Sequence, residues 1–286
     1  MISVDEALRI LYENIPRPQT KFVSLEQAYH RHLSMNIEAP ESSPRYTNSA
    51  MDGFALRWED CKGCSKEEPS TLQVIGESQA GIPFPGEVTT GTAIRISTGA
   101  MLPAGADTVV RVEDTAENGN QVDIYDVRKL GQDVRHEGEE FKKGELLFHK
   151  ADYLGARELA LLAAVGIVQI PVYVPPLVSL LVTGTELALP DAADIKPHQI
   201  RDSNSTMLAS AVREAGAEIR STGHIQDNLQ HTTDAVSQAA EAGDSIILCS
   251  GGVSVGRHDH VKDAALAAKI TSISVALSAI TSTTIS

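Results

Sequence analysis

Aromatic residues are scarce in this 286-residue sequence, with one Trp, six Tyr and five Phe, so Ala, Val, Leu and Ile must fill any core. A chain that is 42% hydrophobic and 22% charged can build one, and it reads as globular. Basic residues are outnumbered, 24 Lys and Arg against 38 Asp and Glu, which leaves a net charge of −14. That balance argues against a nucleic-acid binder, which would present a basic face. It does not exclude an anionic small molecule, because a local basic or glycine-rich pocket can override net charge. No run of eighteen apolar residues occurs, so no transmembrane helix is expected. The opening stretch MISVDEALRILYENIP carries acids early and lacks the apolar region of a signal peptide, which makes the cytoplasm the expected compartment. The three cysteines, Cys61, Cys64 and Cys249, are odd in number and widely spread, so a disulfide framework is excluded. Cys61-Lys62-Gly63-Cys64 has CxxC spacing but no second pair and no nearby histidine, and reads as a surface turn rather than a zinc or redox site.

The length suggests two domains, a compact one and an elongated one. Apolar spacing at Val4, Ala7, Leu8, Ile10 and Leu11 predicts an amphipathic helix over 1–16, ended by Pro16. A second short helix is expected over 22–32. Ala39-Pro40-Glu41-Ser42-Ser43-Pro44 then breaks the pattern as a linker. From 50 to 150, short apolar stretches (Leu72–Ile75, Ala93–Ile96, Thr108–Val112, Val122–Tyr125) alternate with Gly, Pro and Asn, the pattern of a β-rich domain. Residues 155–165 read as a helix with Gly166 at its C-terminus, followed by a strand over Val168–Val174.

After Pro175-Pro176 the rhythm becomes strand, loop, helix, three times over. Strands are expected at Leu177–Val182, Ala217–Ile225 and Ser245–Cys249. Helices are expected at 203–215 (capped by Asp202 or Ser203), at 228–242, and from about 258. Such a repeat implies a parallel sheet covered by helices. Residues 265–286 are rich in Ser and Thr and carry no acid, an abrupt change from their acidic surroundings.

Ligands of parallel sheets sit beyond the carboxyl ends of the strands. Ser250-Gly251-Gly252-Val253-Ser254-Val255-Gly256 follows a strand and precedes a helix, so its amides can cradle an anion. Thr183-Gly184-Thr185-Glu186 ends the first strand, Asp227 follows the second and Asp259 the third. Three carboxylates at one edge suit a hard cation such as Mg²⁺. Each acid taken singly is more often a helix cap, and it is their shared edge that favours the cation. His258 and His260 flank Asp259 but would point apart on a helix, so a shared metal is not expected. In the β-rich part, NSAMDGFA (48–55), the segment Arg95–Asp107 and Arg135-His136-Glu137-Gly138-Glu139-Glu140 read as turns. Arg135 adds a guanidinium able to fork onto phosphate.

Together NSAMDGFAL, RISTGAMLPAGADTVVRVED, RHEGEEFKKGELL, GTEL, IRDSNSTML and CSGGVSVGRHDHVKDA resemble, in order, the molybdopterin molybdenumtransferase family that includes the gephyrin E domain. The resemblance implies a cytoplasmic homodimer of elongated multidomain protomers: an α/β plus β fold with a β-rich domain and a three-layer α/β parallel-sheet domain. Residues 1–46 with 141–174 would form the elongated domain, 47–140 the β-rich domain and 175–264 the pterin-binding α/β domain, with 265–286 as an atypical tail. The implied reaction inserts molybdate into adenylylated molybdopterin, releasing AMP with help from Mg²⁺. The molybdopterin adenylyltransferase is an implied partner; no nucleic acid or membrane is.

Asp52, Thr98 and Arg135 of one chain would face Glu186, Asp227 and Asp259 of the other, these last three holding Mg²⁺, and Glu140 would be a further catalytic residue. Gly184, Asp202, Ser203, Asn204, Ser250, Gly251, Gly252, Ser254 and Gly256 would contact the pterin ligand. Glu140 stands where the family usually has Asp. The family's Lys-Pro-Gly-Lys-Pro and Gly-Leu-Pro-Gly-Asn-Pro segments do not follow Ala264, and Lys269 is not in their context. The sequence reading is therefore a family member truncated or frameshifted after about residue 264, weakly active or inactive and prone to aggregate. A ligand-binding or dimerisation module and a molybdopterin adenylyltransferase are the alternatives.

Overall fold

A computed structural model describes residues 3–15, 17–226, 228–243, 245–250 and 260–268. In chain order the first elements are α1 (Val4–Asn14), β1 (Thr20–Ser24), α2 (Leu25–Ala28), β2 (Ile37–Glu38), β3 (Asn48–Ser49), β4 (Gly53–Leu56) and α3 (Trp58–Cys61). Then come β5 (Ser70–Ser78), β6 (Thr92–Ile96), β7 (Thr108–Arg111), β8 (Thr115–Asn118), β9 (Gln121–Ile124), β10 (Val134–Arg135), β11 (Leu146–Phe148) and α4 (Ala156–Ala164). The remainder are β12 (Gln169–Tyr173), β13 (Leu177–Thr183), β14 (Leu187–Ala188), β15 (Ile200–Arg201), α5 (Asn204–Glu214), β16 (Glu218–Ile225), α6 (Leu229–Glu241), β17 (Ile246–Ser250) and α7 (Val261–Ala267). The chain divides into two units, one of Met1–Ser34, Tyr153–Leu159 and Gln169–Ser286, the other of Met35–Asp152 and Ala160–Val168.

The second unit is β-rich, as its turn-punctuated sequence predicts. Its six-stranded sheet runs in the order β7-β4-β6-β5-β9-β8, antiparallel except for the parallel pair β5–β6. Side chains alternate between two cores, because successive residues of a strand face opposite ways. Phe54, Leu56, Leu72, Val110, Val122 and Ile124 pack on one side; Ala55, Ile94, Ile96 and Val109 pack on the other. Cys61 belongs to the first of these cores and is fully buried, which corrects the surface-turn reading of the CxxC stretch. Burial pushes its thiol up to about 12, helped by the neighbouring Cys64 and Asp60, so it is an inert packing residue. The expected linker at 39–44 is also tied down. Ala39 N–H donates to the Glu145 carbonyl, and Ser43 bridges Phe141.

In the first unit β1 pairs antiparallel with β12. The short helix expected over 22–32 is present but confined to the four-residue α2, its first three positions belonging to β1. Phe22 and Val23 favour a strand, Ser24 caps the Gln27 N–H, and His30 turns the chain away at φ 60°. The α/β part matches expectation closely. A parallel sheet in the order β16-β13-β17 carries α5 on one face, where Val178 and Leu180 meet Val212 and Leu208. Leu181, Ile225 and Val236 fill the other face with Ala235 of α6 and with Ala268 just past α7, making three layers. α4 and α5 end in paired bonds at a left-handed glycine, a Schellman closure. Gly166 N–H donates to the Ala163 carbonyl and Ile167 N–H to that of Leu162; Gly216 and Ala217 repeat the pattern on Arg213 and Val212. No helix among the described residues is long and apolar enough to cross a membrane.

Candidate functional site

In the parallel sheet, Val182 lies between His224 and Ser250 in register, and Thr183 pairs with Ile225. The three strands therefore deliver their carboxyl ends to one edge, where peptide and side-chain polar groups collect. Thr183 Oγ1 donates to the Ser250 carbonyl at 3.5 Å, and Asn204 Nδ2 at the start of α5 reaches Ser250 Oγ at 3.2 Å. Ser203 and Asn204 are exposed and Ser250 is half-buried, so this edge is open to a ligand. Gly184 leaves the sheet at φ 153°, and a Cβ there would lie 3.0 Å from Glu186 Oε2 and from Leu187. Glu186 itself is exposed.

Asp202 is the one of the two expected cap residues that caps α5. It is 1% exposed; its carboxylate accepts the Ser205 N–H at 3.0 Å and the Ser205 hydroxyl, and lies 2.9 Å from His224 Nε2 as an ion-pair contact. It thus caps α5, whereas Ser203 makes no side-chain cap bond. Burial raises its pKa, but the Ser205 bonds and the His224 charge outweigh that and hold it below the usual carboxylate range. Asp202 anchors the start of α5 at that edge.

Asp227, Asp259, Gly251, Gly252, Ser254 and Gly256 lie outside the described residues, as does the segment from Lys269 onward. Among the described residues no three His, Cys, Asp or Glu side chains are placed to hold a metal ion. Of the three expected Mg²⁺ ligands only Glu186 is described, and one carboxylate is not a hard-cation site.

The β-rich unit brings its expected residues together through segments distant in sequence. Asp52 Oδ1 accepts both the Thr98 N–H at 2.7 Å and the Thr98 hydroxyl at 3.1 Å. Gly99 N–H donates to the Ser49 carbonyl and Ser49 N–H to that of Ala100, so the 97–102 turn docks on the 47–52 turn. Pairing of β10 with β3 puts Arg135 opposite Asn48. Arg135 is engaged by Glu140 and, at 3.6 Å, by Glu139; Glu140 is fixed in turn by the Ser43 hydroxyl at 2.6 Å. Asp52, Thr98 and Glu140 are exposed and Arg135 is half-buried.

Sequence reasoning missed three participants. His224 is the partner of Asp202. Asn48 is buried with Nδ2 on the Tyr46 carbonyl and Oδ1 unpartnered. Arg111, within the quoted RVED stretch, forks onto Asp133. None has a local signature, since each depends on a partner at least two residues away across a turn or strand. A half-open cavity of about 130 Å³ lies beside Asn48's neighbours, lined by Tyr46, Gln79, Gly81, Pro83 and Met101.

A parallel-sheet edge with polar strand ends, on a chain with a separate β-rich unit, defines an α/β protein built to hold a small polar ligand. Residues 2–166 match the family described as MoeA N-terminal region (domain I and II), and residues 179–282 match the "Probable molybdopterin binding domain". The chain belongs to the MoeA family, whose named members here are molybdopterin molybdenumtransferases. It is 37% identical over 276 residues to the molybdopterin molybdenumtransferase of Nostoc sp. (strain PCC 7120), covering 94% of this chain and 63% of that one. It is 37% identical over 262 residues to that of Bacillus subtilis (strain 168), covering 90% and 60% respectively. The solved molybdopterin biosynthesis MoeA protein from Pyrococcus horikoshii OT3 superposes with a TM-score of 0.81 at 32% identity, over 88% of this chain and 66% of that one. The chain spans less than two thirds of the length of each of these relatives.

Proposed function

We propose that this chain works in molybdenum cofactor biosynthesis as a molybdopterin molybdenumtransferase, inserting molybdate into adenylylated molybdopterin with release of AMP. The observation that carries the reading is the polar edge of the parallel sheet, within the stretch that matches a molybdopterin-binding family. There the Thr183 hydroxyl, the Asn204 amide and the Ser250 hydroxyl offer donors and acceptors to a phosphate-bearing pterin, with Asp202 and His224 holding the start of α5 in place. In the β-rich unit, Arg135 offers charge to the oxyanions that develop during transfer, and Asp52 fixes the Thr98 turn. Mg²⁺ would supply charge neutralisation of the phosphates. Glu186 would be a ligand together with Asp227 and Asp259.

The same reading includes a cytoplasmic homodimer and an adenylyltransferase that supplies the substrate. It also includes the division into 1–46 with 141–174, 47–140 and 175–264. Support for that discontinuous division comes from the pairing of 20–24 with 169–173 and of 37–38 with 146–148.

The test is to incubate the purified chain with adenylylated molybdopterin, molybdate and Mg²⁺ and to follow AMP release. Molybdate-dependent AMP release, reduced at least ten-fold by Arg135→Ala, is the expected result. Tight binding of adenylylated molybdopterin without AMP release would sink the transferase reading and leave a ligand-binding module.

A further inference from the structure

Arg111 ends β7, beside the turn that carries Asp52. Its Nε donates to Asp133 Oδ2 at 2.9 Å and its second guanidinium nitrogen donates to Oδ1 at 3.1 Å, the two-pronged geometry that fixes both partners' orientation. The Asp133 side chain is only 13% exposed. Its backbone sits at φ 51°, a left-handed conformation that a non-glycine residue holds when its surroundings demand it.

Around this fork the backbone is stitched to both arms of the β-rich site. The Asp133 carbonyl accepts the Ala50 N–H at 2.8 Å, and the Asp52 carbonyl accepts the Val112 N–H at 3.1 Å. The Gln132 carbonyl accepts the Val109 N–H at 3.0 Å, and β7 pairs directly with β4, Arg111 opposite Gly53. Two residues beyond Asp133 comes Arg135. One ion pair therefore stands behind the turn that aims Asp52 at Thr98 and behind the strand that aims Arg135.

An exposed ion pair of ordinary geometry contributes little. This one is bidentate, shielded on its acid side, and holds a strained turn. We propose that Arg111 and Asp133 form a positioning pair that sets the separation and aim of Asp52 and Arg135. The proposal rests on the reading of Asp52, Thr98 and Arg135 as substrate-facing residues. Arg111 and Asp133 act through the two turns they join. Glu113 and Asp114, the next acids along from Arg111, add negative charge near the guanidinium without making the fork.

Two readouts on the full chain test this, and they fail separately. The first is amide hydrogen exchange by NMR in wild type, Arg111→Gln, Arg111→Lys and Asp133→Asn. Asn keeps the left-handed turn while losing the charge-assisted fork. Exchange at Ala50, Thr98 and Val112 is expected to quicken at least ten-fold in Arg111→Gln and Asp133→Asn, with Arg111→Lys in between. Exchange at Ala55 and Ile94 in the six-stranded sheet is expected to stay at the wild-type rate. A uniform rise across the unit, or no change, overturns the proposal.

The second readout is AMP release. The same variants are expected to lower kcat at least ten-fold with the KM for molybdate within two-fold of wild type. An unchanged kcat, or a change confined to KM, also overturns the positioning role. If wild type releases no AMP while the local exchange changes appear, the transferase reading fails and the coupling of the two turns stands.

Discussion

The Asp202 carboxylate is buried and ionised at once. Burial alone would favour its neutral form, but the two Ser205 donors and the His224 ring keep it charged and depress its pKa. A carboxylate depressed in the folded state contributes stability that is fully present above its unfolded value, about 3.9, and is lost as pH falls through the folded value. Asp202→Asn keeps the shape and removes the charge. It is expected to cost about 2 kcal/mol in urea unfolding at pH 7. The gap between variant and wild type should narrow as pH drops below about 4; a gap independent of pH would mean that the charge of Asp202 is not what matters. The motif around Asp202 was legible in the sequence, since Asp before Ser-Asn-Ser at a helix start is a capping pattern. Its enclosure was not, because the groups that bury it, among them His224 on β16, arrive from elsewhere in the chain.

Strands and helices were the most legible level. The four apolar stretches of the β-rich part all became strands, and the three strand-helix repeats became a parallel sheet. Alternation, caps and terminal glycines act over a few residues and need no knowledge of the fold. The helix expected over 22–32 is shortened to α2 for the same reason in reverse, because β1, which takes its first positions, exists through its pairing with β12, almost 150 residues later in the chain.

Within β4, Gly53 is set by packing and not by turn chemistry. A Cβ at this position would lie 2.0 Å from the Val110 carbonyl oxygen of the adjoining strand. Gly53→Ala must therefore spread β4 from β7, the strand that carries Arg111. We expect a loss of about 3 kcal/mol in thermal or urea unfolding, by overpacking against backbone that cannot move aside. A loss below about 0.5 kcal/mol would show that the two strands separate freely.

For the whole molecule, the two units offer an internal control for ligand binding. A ligand that binds only the folded state at a hundred times its Kd stabilises by about 2.7 kcal/mol. Adenylylated molybdopterin at that level is expected to slow amide exchange in β13 and β16, whose carboxyl ends form the proposed edge. Exchange in β5 and β9 of the six-stranded sheet should respond less. Equal protection of both sheets, or none in β13, would count against a pterin site at that edge. The net charge of −14 makes the prediction demanding, since an anionic ligand must be held by local donors against the field of the chain.

By itself the sequence determined most element types, the parallel sheet of the α/β repeat, the motifs and their family, because these follow from short-range periodicity, capping and residue order. Only the tertiary structure decided which side chains meet. Asp52 finds Thr98 across 46 residues, Ser43 finds Glu140 across 97, and Arg111 finds Asp133 across 22. Cys61 exchanged a surface turn for a core on the same terms. Such pairings are fixed when strands are brought into register and polar groups leaving water take the partners that the fold puts within reach.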